Sequence, residues 1–309
     1  MNDGLNVTYI TLGGYVEVNK YRSLYFLIMF TVYVLIICSN STIVCLIWIH
    51  KNLHEPMYMF IAALSLNSVL FSTVIYPKLF IDFISEKQII SYPACLLQWF
   101  IYYSLGASDF LLLAAMAYDR YVSICKPLQY PTIMRKAVIS VLLLSAWLVP
   151  AAHVMVAVAL AADRKLCHFS LNGIFCNNSV YQLHCVTSTV LSVYGLVVLF
   201  NVALLPVLFI LFTYAKILII SYRSSRDVRT KAAQTCLPHL IVLISFSCLC
   251  AYDIIIARLE SDVPKTARFI MTLQMILYHP LFNPIIYGLK MKEISKHIQR
   301  LFCQVKLTK

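Results

Sequence analysis

A chain of 309 residues in which 61% are hydrophobic and only 12% are charged cannot cover a water-soluble fold with polar side chains. That balance sets aside a cytosolic enzyme, a disordered regulator and a collagen-like fibre, and leaves a membrane protein. The net charge of +12 then has to be read by position, because Lys and Arg gathered in the loops on one side of a membrane fix topology.

Crossing the hydrocarbon of a bilayer takes about 20 apolar residues in a helix. Formal charge is absent from Ser23 to Ile49, from Pro56 to Pro77 and from Ala137 to Ala162, and Gln88 to Tyr118 carries only Asp109. Leu166 to Ala215 is also free of charge, but its first half holds Cys, Asn, Gln and His and reads as a loop, leaving a span from Val190 onward. Ala232 to Tyr252 and Phe269 to Leu289 complete the series. Backbone groups in lipid must be satisfied within the segment, so each span is predicted to be an α-helix. The expectation is an all-α membrane protein, a single domain over residues 1–309, with spans at about 24–49, 57–80, 92–124, 138–161, 190–220, 232–257 and 267–288.

The basic residues orient this bundle. Lys51, then Lys126, Arg135 and Lys136, then Lys216, Arg223, Arg226, Arg229 and Lys231, and the Lys and Arg after Leu289 bring 15 to one side, against 9 on the other. The positive-inside rule then puts the tail in the cytoplasm and the N-terminus outside. Residues 1–22 are polar and lack an apolar core, so the first span is expected to serve as an uncleaved signal anchor. After Leu289, Met291, Ile294, Ile298, Leu301 and Phe302 share one helical face opposite Lys292, Lys296 and Arg300. That pattern predicts a short interfacial helix over about 290–302, with Cys303 as a palmitoylation candidate.

Of the 11 cysteines, Cys95, Cys167, Cys176 and Cys185 fall on the oxidising side, where four cysteines allow three pairings. The same side holds two glycosylation sequons, at Asn6 and Asn177, while a third, at Asn40, lies inside a span. Asp109 is the acid in the interior of a span, and reads either as an ion or proton site or as a carboxyl hydrogen-bonded to Ser or Asn on neighbouring helices. A transporter would show helices broken by Gly or Pro in two related halves with several mid-membrane acids, whereas this chain has 7 Gly in all. The eight histidines are scattered, with no HExxH or CxxC spacing, so neither a metal cofactor nor an enzyme is expected.

At the end of the third span stands Met116-Ala117-Tyr118-Asp119-Arg120-Tyr121-Val122-Ser123-Ile124-Cys125. This resembles the odorant receptors, a branch of the rhodopsin-like G-protein-coupled receptors. The likeness continues at Leu53-His54-Glu55-Pro56-Met57-Tyr58, at Pro77-Lys78, at Lys231-Ala232-Ala233-Gln234-Thr235-Cys236 with His239, and at Asn283-Pro284-Ile285-Ile286-Tyr287. The form of the blocks at the starts of the second and sixth spans, residues 53–58 and 231–236, is more similar to fish odorant receptors than to mammalian ones. The resemblance implies a plasma-membrane receptor for a small odorant, coupled to a stimulatory G protein and cyclic AMP. A receptor of the same branch with a non-olfactory chemosensory role is the alternative.

The resemblance also implies residue roles. Cys95 would pair with Cys176 and Cys167 with Cys185, making the long outer loop a lid. Asp119, Arg120 and Tyr121, with Tyr214, Lys231, Asn283, Pro284 and Tyr287, would serve activation and G-protein coupling. Two positions depart from rhodopsin-like receptors in general: Ser68 replaces the usual acid of the second span, and Tyr102 occupies the place of the amine-binding acid, which argues against a monoamine ligand. The ligand is expected in the outer half of the bundle, among Trp99, Tyr102, Tyr103, Gly106, Val198, Ser247, Ala251, Ile254 and Ile255. Arg258 would hold a ligand carboxylate, or else pair with Glu260 or Asp262 at a helix end.

Overall fold

The computed structural model describes residues 8–186, 188–222, 226–258 and 263–307, without the side chains of 226–229, 231–235, 238, 253–258, 279, 289–290, 292 and 301–307. The described residues form seven long helices: α1 (Val18–Ile49), α2 (Pro56–Ile84), α3 (Tyr92–Cys125), α4 (Lys136–Ala162), α5 (Thr189–Tyr222), α6 (Arg226–Arg258) and α7 (Lys265–Lys290). An eighth, α8 (Lys292–Leu307), follows directly.

Among the described residues α1 to α5 are each long and apolar enough to cross a membrane, and α7 qualifies as a bent pair, turning by 40° between Lys265–Tyr278 and Pro280–Gly288. The bend falls where Pro280 withdraws a backbone N–H from the helix ladder. In α5 the turn Phe200–Leu204 is widened to a π-helix just before Pro206, since a proline there leaves a carbonyl of the preceding turn without its usual donor. Apolar side chains such as Leu27, Leu144, Leu148, Leu211 and Phe212 are exposed on the outside of the bundle, as a lipid-facing surface requires.

The long helix α3 runs through the middle, packed against α2, α4, α5 and α6. Around it lie two buried clusters. One, toward the face that carries the N-terminus, includes Ile36, Tyr76, Leu79, Trp99, Tyr102 and Phe175; the other, toward the opposite face, includes Leu64, Phe110, Met116, Ile210, Tyr214 and Tyr287. Asn40, the sequon inside a span, is fully buried, and its Nδ2 donates to the carbonyls of Ile36 and Pro280, each at 2.9 Å, tying α1 to the bend of α7. On α8, Ile294 is fully buried while Lys296 and Arg300 are exposed, the two-sided pattern of a helix lying along a surface.

The N-terminal face is closed by a small sheet of order β2-β1-β3, formed by β1 (Tyr9–Leu12), β2 (Ile89–Ser91) and β3 (Ser170–Leu171). β1 runs antiparallel to β2 with Ile10 opposite Ile90, and parallel to β3 with Leu12 opposite Leu171. Just beyond it, a Cβ on Gly14 would stand 2.5 Å from the Gly173 backbone, so only glycine allows this approach of the N-terminal segment to the long loop. Tyr15 then locks the segment down: its hydroxyl donates to Asp82 Oδ2 at 3.0 Å, and Asp82 also pairs with Lys78.

Candidate functional site

Two disulfides hold the long loop between α4 and α5. Cys95 is bonded to Cys176, with Cα atoms 5.4 Å apart, and Cys167 to Cys185 at 4.8 Å, the two pairs that the resemblance implies. α3 adds three further ties over two successive turns. The Cys176 N–H donates to Gln98 Oε1 at 3.0 Å, Trp99 Nε1 donates to Asn178 Oδ1 at 3.4 Å, and the Asn178 N–H donates to Tyr103 Oη at 3.1 Å. One stripe of α3, spaced at helical intervals, therefore carries the loop as a fixed lid over the bundle mouth. Asn177 belongs to this region too: its Oδ1 accepts from the Ser179 N–H at 3.1 Å and starts the tight 3-10 segment Asn178–Leu183. Asn6, the other sequon, lies outside the described residues.

Beneath the lid is a cavity of about 470 Å³ between α3, α4, α5, α6 and α7, within the size range of small-molecule sites. Trp99, Tyr102, Tyr103, Gly106 and Val198 line it, as the outer-half reading expects. On α6 the described lining residues are Phe246 and Cys250, one position before the expected Ser247 and Ala251. Ser247 is half-buried off the cavity wall and Ala251 is exposed. The stripe of α6 that lines the cavity is thus turned by one residue, or about 100°, from one through Ser247 and Ala251. The side chains of Ile254, Ile255 and Arg258 lie outside the described ones. Sequence reasoning missed the loop residues Asn178, Gln182 and His184 and the α4 residues Val154 and Ala157, all of which line the cavity. A loop without periodicity signals nothing about which side chains turn inward, and α4 is apolar all round.

Midway down the bundle, Asn67 on α2 joins three helices. Its Nδ2 donates to Asp109 Oδ1 at 2.8 Å and to the Leu105 carbonyl at 2.9 Å, and its Oδ1 accepts from Trp147 Nε1 at 3.0 Å. The Asp109 carboxyl thus sits buried beside a hydrogen-bonding partner, the arrangement that lowers the cost of an intramembrane acid. Nearby, Asn283 Nδ2 donates to Ser68 Oγ at 3.4 Å, drawing the Asn283-Pro284 turn of α7 onto α2. Among the described residues no three of His, Cys, Asp and Glu come together in a way that could hold a metal ion.

At the far end of α3, Arg120 folds back on its own neighbour. Its Nε donates to Asp119 Oδ2 at 2.8 Å, while the Tyr130 hydroxyl donates to Asp119 Oδ1 at 2.7 Å. Asp119 is fully buried. Burial and the hydrogen bond to Asp119 push the Tyr130 phenol well above its ordinary range, so it stays a donor. Tyr121, next along α3, is half-buried. Deeper in the bundle, His239 stands between two tyrosine rings, with centroids 6.5 Å from Tyr214 and 5.5 Å from Tyr287. Both ring nitrogens of His239 and both tyrosine hydroxyls are buried without a hydrogen-bond partner among the described residues. Pro284 is buried a turn before Tyr287. The Lys231 side chain lies outside the described ones.

A seven-helix membrane bundle, with a lidded cavity at one mouth and an Asp-Arg-Tyr turn at the other, has the architecture of a G-protein-coupled receptor. The model of the olfactory receptor family matches residues 29–305. Olfactory receptor 11A1 of Homo sapiens is 32% identical over 308 residues, 96% of this chain and 94% of that protein. Olfactory receptor 4B13 of Mus musculus is 33% identical over 299 residues, 95% of this chain and 96% of that one. Olfactory receptor-like protein COR4 of Gallus gallus is 32% identical over 283 residues, 89% of each chain. The chain belongs to the olfactory receptor family: it is a multi-pass, odorant-sensing G-protein-coupled receptor, not an enzyme, and its partners are an odorant and a heterotrimeric G protein.

Proposed function

We propose that the odorant binds in the cavity of about 470 Å³ under the disulfide-tied lid, and that its binding releases Arg120 and opens the opposite face to a stimulatory G protein, raising cyclic AMP. The cavity carries this reading: it is apolar over most of its wall, sized for a small molecule and held under a lid anchored to α3, the helix that ends in Asp119-Arg120-Tyr121. A ligand acts only through its differential affinity for the two states. The hydroxyls of Tyr214 and Tyr287, buried without a hydrogen-bond partner among the described residues, support a second state in which they find partners, because such groups are costly where they stand.

In this reading the receptor lies in the plasma membrane with the N-terminal face outside, Asn6 and Asn177 available as glycan acceptors, and Lys231 among the residues that meet the G protein. Asp109 serves the inner polar network, as an ion site or as a hydrogen-bonded carboxyl. Within the family, the form of the blocks at 53–58 and 231–236 supports a fish-type member. The test is a cyclic-AMP reporter screen of the expressed receptor against a broad odorant panel. Responses that persist when Gly106→Trp fills the cavity would place the ligand elsewhere.

A further inference from the structure

Most polar groups around the cavity are already committed to the protein. Trp99 Nε1 and the backbone N–H of Asn178 bind the lid to α3, Tyr102 donates to Met275 Sδ at 3.0 Å, and Ser188 Oγ accepts from the Leu191 N–H to cap α5. His184 differs. The residue lines the cavity, it is 8% exposed, and its Nε2 is buried with no hydrogen-bond partner among the described residues. Its backbone is fixed on both sides: His184 pairs across an antiparallel bridge with Leu166, the carbonyl of Leu183 accepts from the Cys167 and His168 amides, and Cys185 is disulfide-bonded to Cys167. A ring nitrogen closed off in this way, on a firmly held backbone beside a mostly apolar cavity, is a hydrogen-bonding group that a small rotation of the imidazole would present to something that enters.

We propose that His184 is the polar anchor of the ligand site, and that the ligand class is a small neutral alcohol whose hydroxyl meets His184 Nε2 while its carbon chain runs down toward Phe110 and Phe246. This rests on the reading of the cavity as the odorant site. A hydroxyl suits the position because it both donates and accepts, and so pairs with either tautomer of the imidazole. Burial and the neighbouring Arg164 hold the His184 pKa below its ordinary value, leaving a neutral ring that matches a neutral head group. The inner wall, with Phe71, Phe110, Val202, Phe246 and Met275, offers the chain an apolar bed.

The experiment measures thermal stabilisation of the purified receptor by 1-hexanol and 1-octanol, by their methyl ethers and by the corresponding carboxylic acids, in wild type, His184→Gln and His184→Phe. Wild type should be stabilised by an alcohol at roughly tenfold lower concentration than by its ether. His184→Gln should keep most of that ratio and His184→Phe should bring it close to one. The proposal is overturned if His184→Phe keeps the wild-type ratio, if the acids outperform the alcohols, or if wild type shows no alcohol preference, a result that needs no variant. A parallel cyclic-AMP assay separates the two levels. Alcohols that bind through His184 without any signal would leave the ligand class standing and remove the signalling role, whereas odorant responses indifferent to His184 would do the reverse.

Discussion

The amide of Cys176 donates to Gln98 Oε1 at 3.0 Å, one helical turn from the disulfide that joins Cys176 to Cys95. The loop is therefore fixed to α3 twice at the same residue, once covalently and once by a buried polar contact. Gln98→Leu removes the acceptor and leaves a buried N–H unsatisfied, at a cost of about 1–3 kcal/mol. The expected result is a lower melting temperature of the purified receptor with both disulfides still formed. Unchanged stability would mean that the disulfide alone sets the lid.

The Cys95–Cys176 and Cys167–Cys185 bonds close loops of very different length, with sequence separations of 81 and 18. Loop-closure entropy grows with separation, so loss of the first should cost more, with a typical scale of about 2–4 kcal/mol per bond. Cys95→Ser, Cys176→Ser and the double variant remove one and the same bond and should share a single defect in surface expression. A double variant clearly worse than either single one would show that the pairing differs, as would non-reducing peptide mapping that linked Cys95 to Cys167 or Cys185.

The helices of this bundle were legible because lipid leaves backbone groups no other solution, and the absence of charge marks each span. Asp119-Arg120-Tyr121 was legible as a contiguous motif and the four outer cysteines by their compartment, whereas their pairing came only with the resemblance. The cavity was half legible. Trp99, Tyr102, Tyr103 and Gly106 follow from the phase of α3, but Phe246 and Cys250 stand where Ser247 and Ala251 were expected, since an apolar helix has no polar face to fix its rotation. The sheet of β1, β2 and β3 was invisible: its strands are 4, 3 and 2 residues long, too short for alternation to register, and their pairing depends on loops far apart in sequence. Nothing in the sequence sets His184 apart from the other seven histidines, because its burial is set by the disulfide and backbone bridge beside it.

That burial gives the lid a pH dependence of known sign. The unfolded chain protonates His184 near its ordinary value, about 6.5, while burial and Arg164 lower the value in the folded lid. Between the two values the unfolded state binds more protons, so stability rises with pH there. The contribution is fully present above about pH 6.5 and is lost as pH falls through the lower, folded value. The melting temperature of wild type should therefore fall more between pH 7.5 and 5.5 than that of His184→Gln, which has no proton to take up. Equal falls in the two proteins would remove His184 as the source.

At the opposite face the same logic of buried partners concerns signalling. Asp119 is shared by Arg120 and by the Tyr130 hydroxyl, which reaches Oδ1 at 2.7 Å from the single turn Tyr130–Ile133 between α3 and α4. Tyr130 thus helps to hold the carboxylate, and the carboxylate holds Arg120 in its folded-back position. Tyr130→Phe removes one charge-assisted hydrogen bond without emptying the space. Such bonds contribute about 1.5–3 kcal/mol when enclosed and less at a partly exposed site, so a shift of about 1 kcal/mol is expected. If the bond is stronger in the resting state than in the open one, that shift raises the open population roughly fivefold while it is small. Basal cyclic AMP should then rise several-fold in Tyr130→Phe at matched surface expression. Arg120→Ala should act oppositely, abolishing output while the receptor remains detectable at the surface, because the group that the opened face would present to the G protein is gone. Full ligand-driven output from a surface-expressed Arg120→Ala receptor would end the role assigned to Arg120, and a Tyr130→Phe receptor with wild-type basal output would show that Asp119 holds the arginine without help.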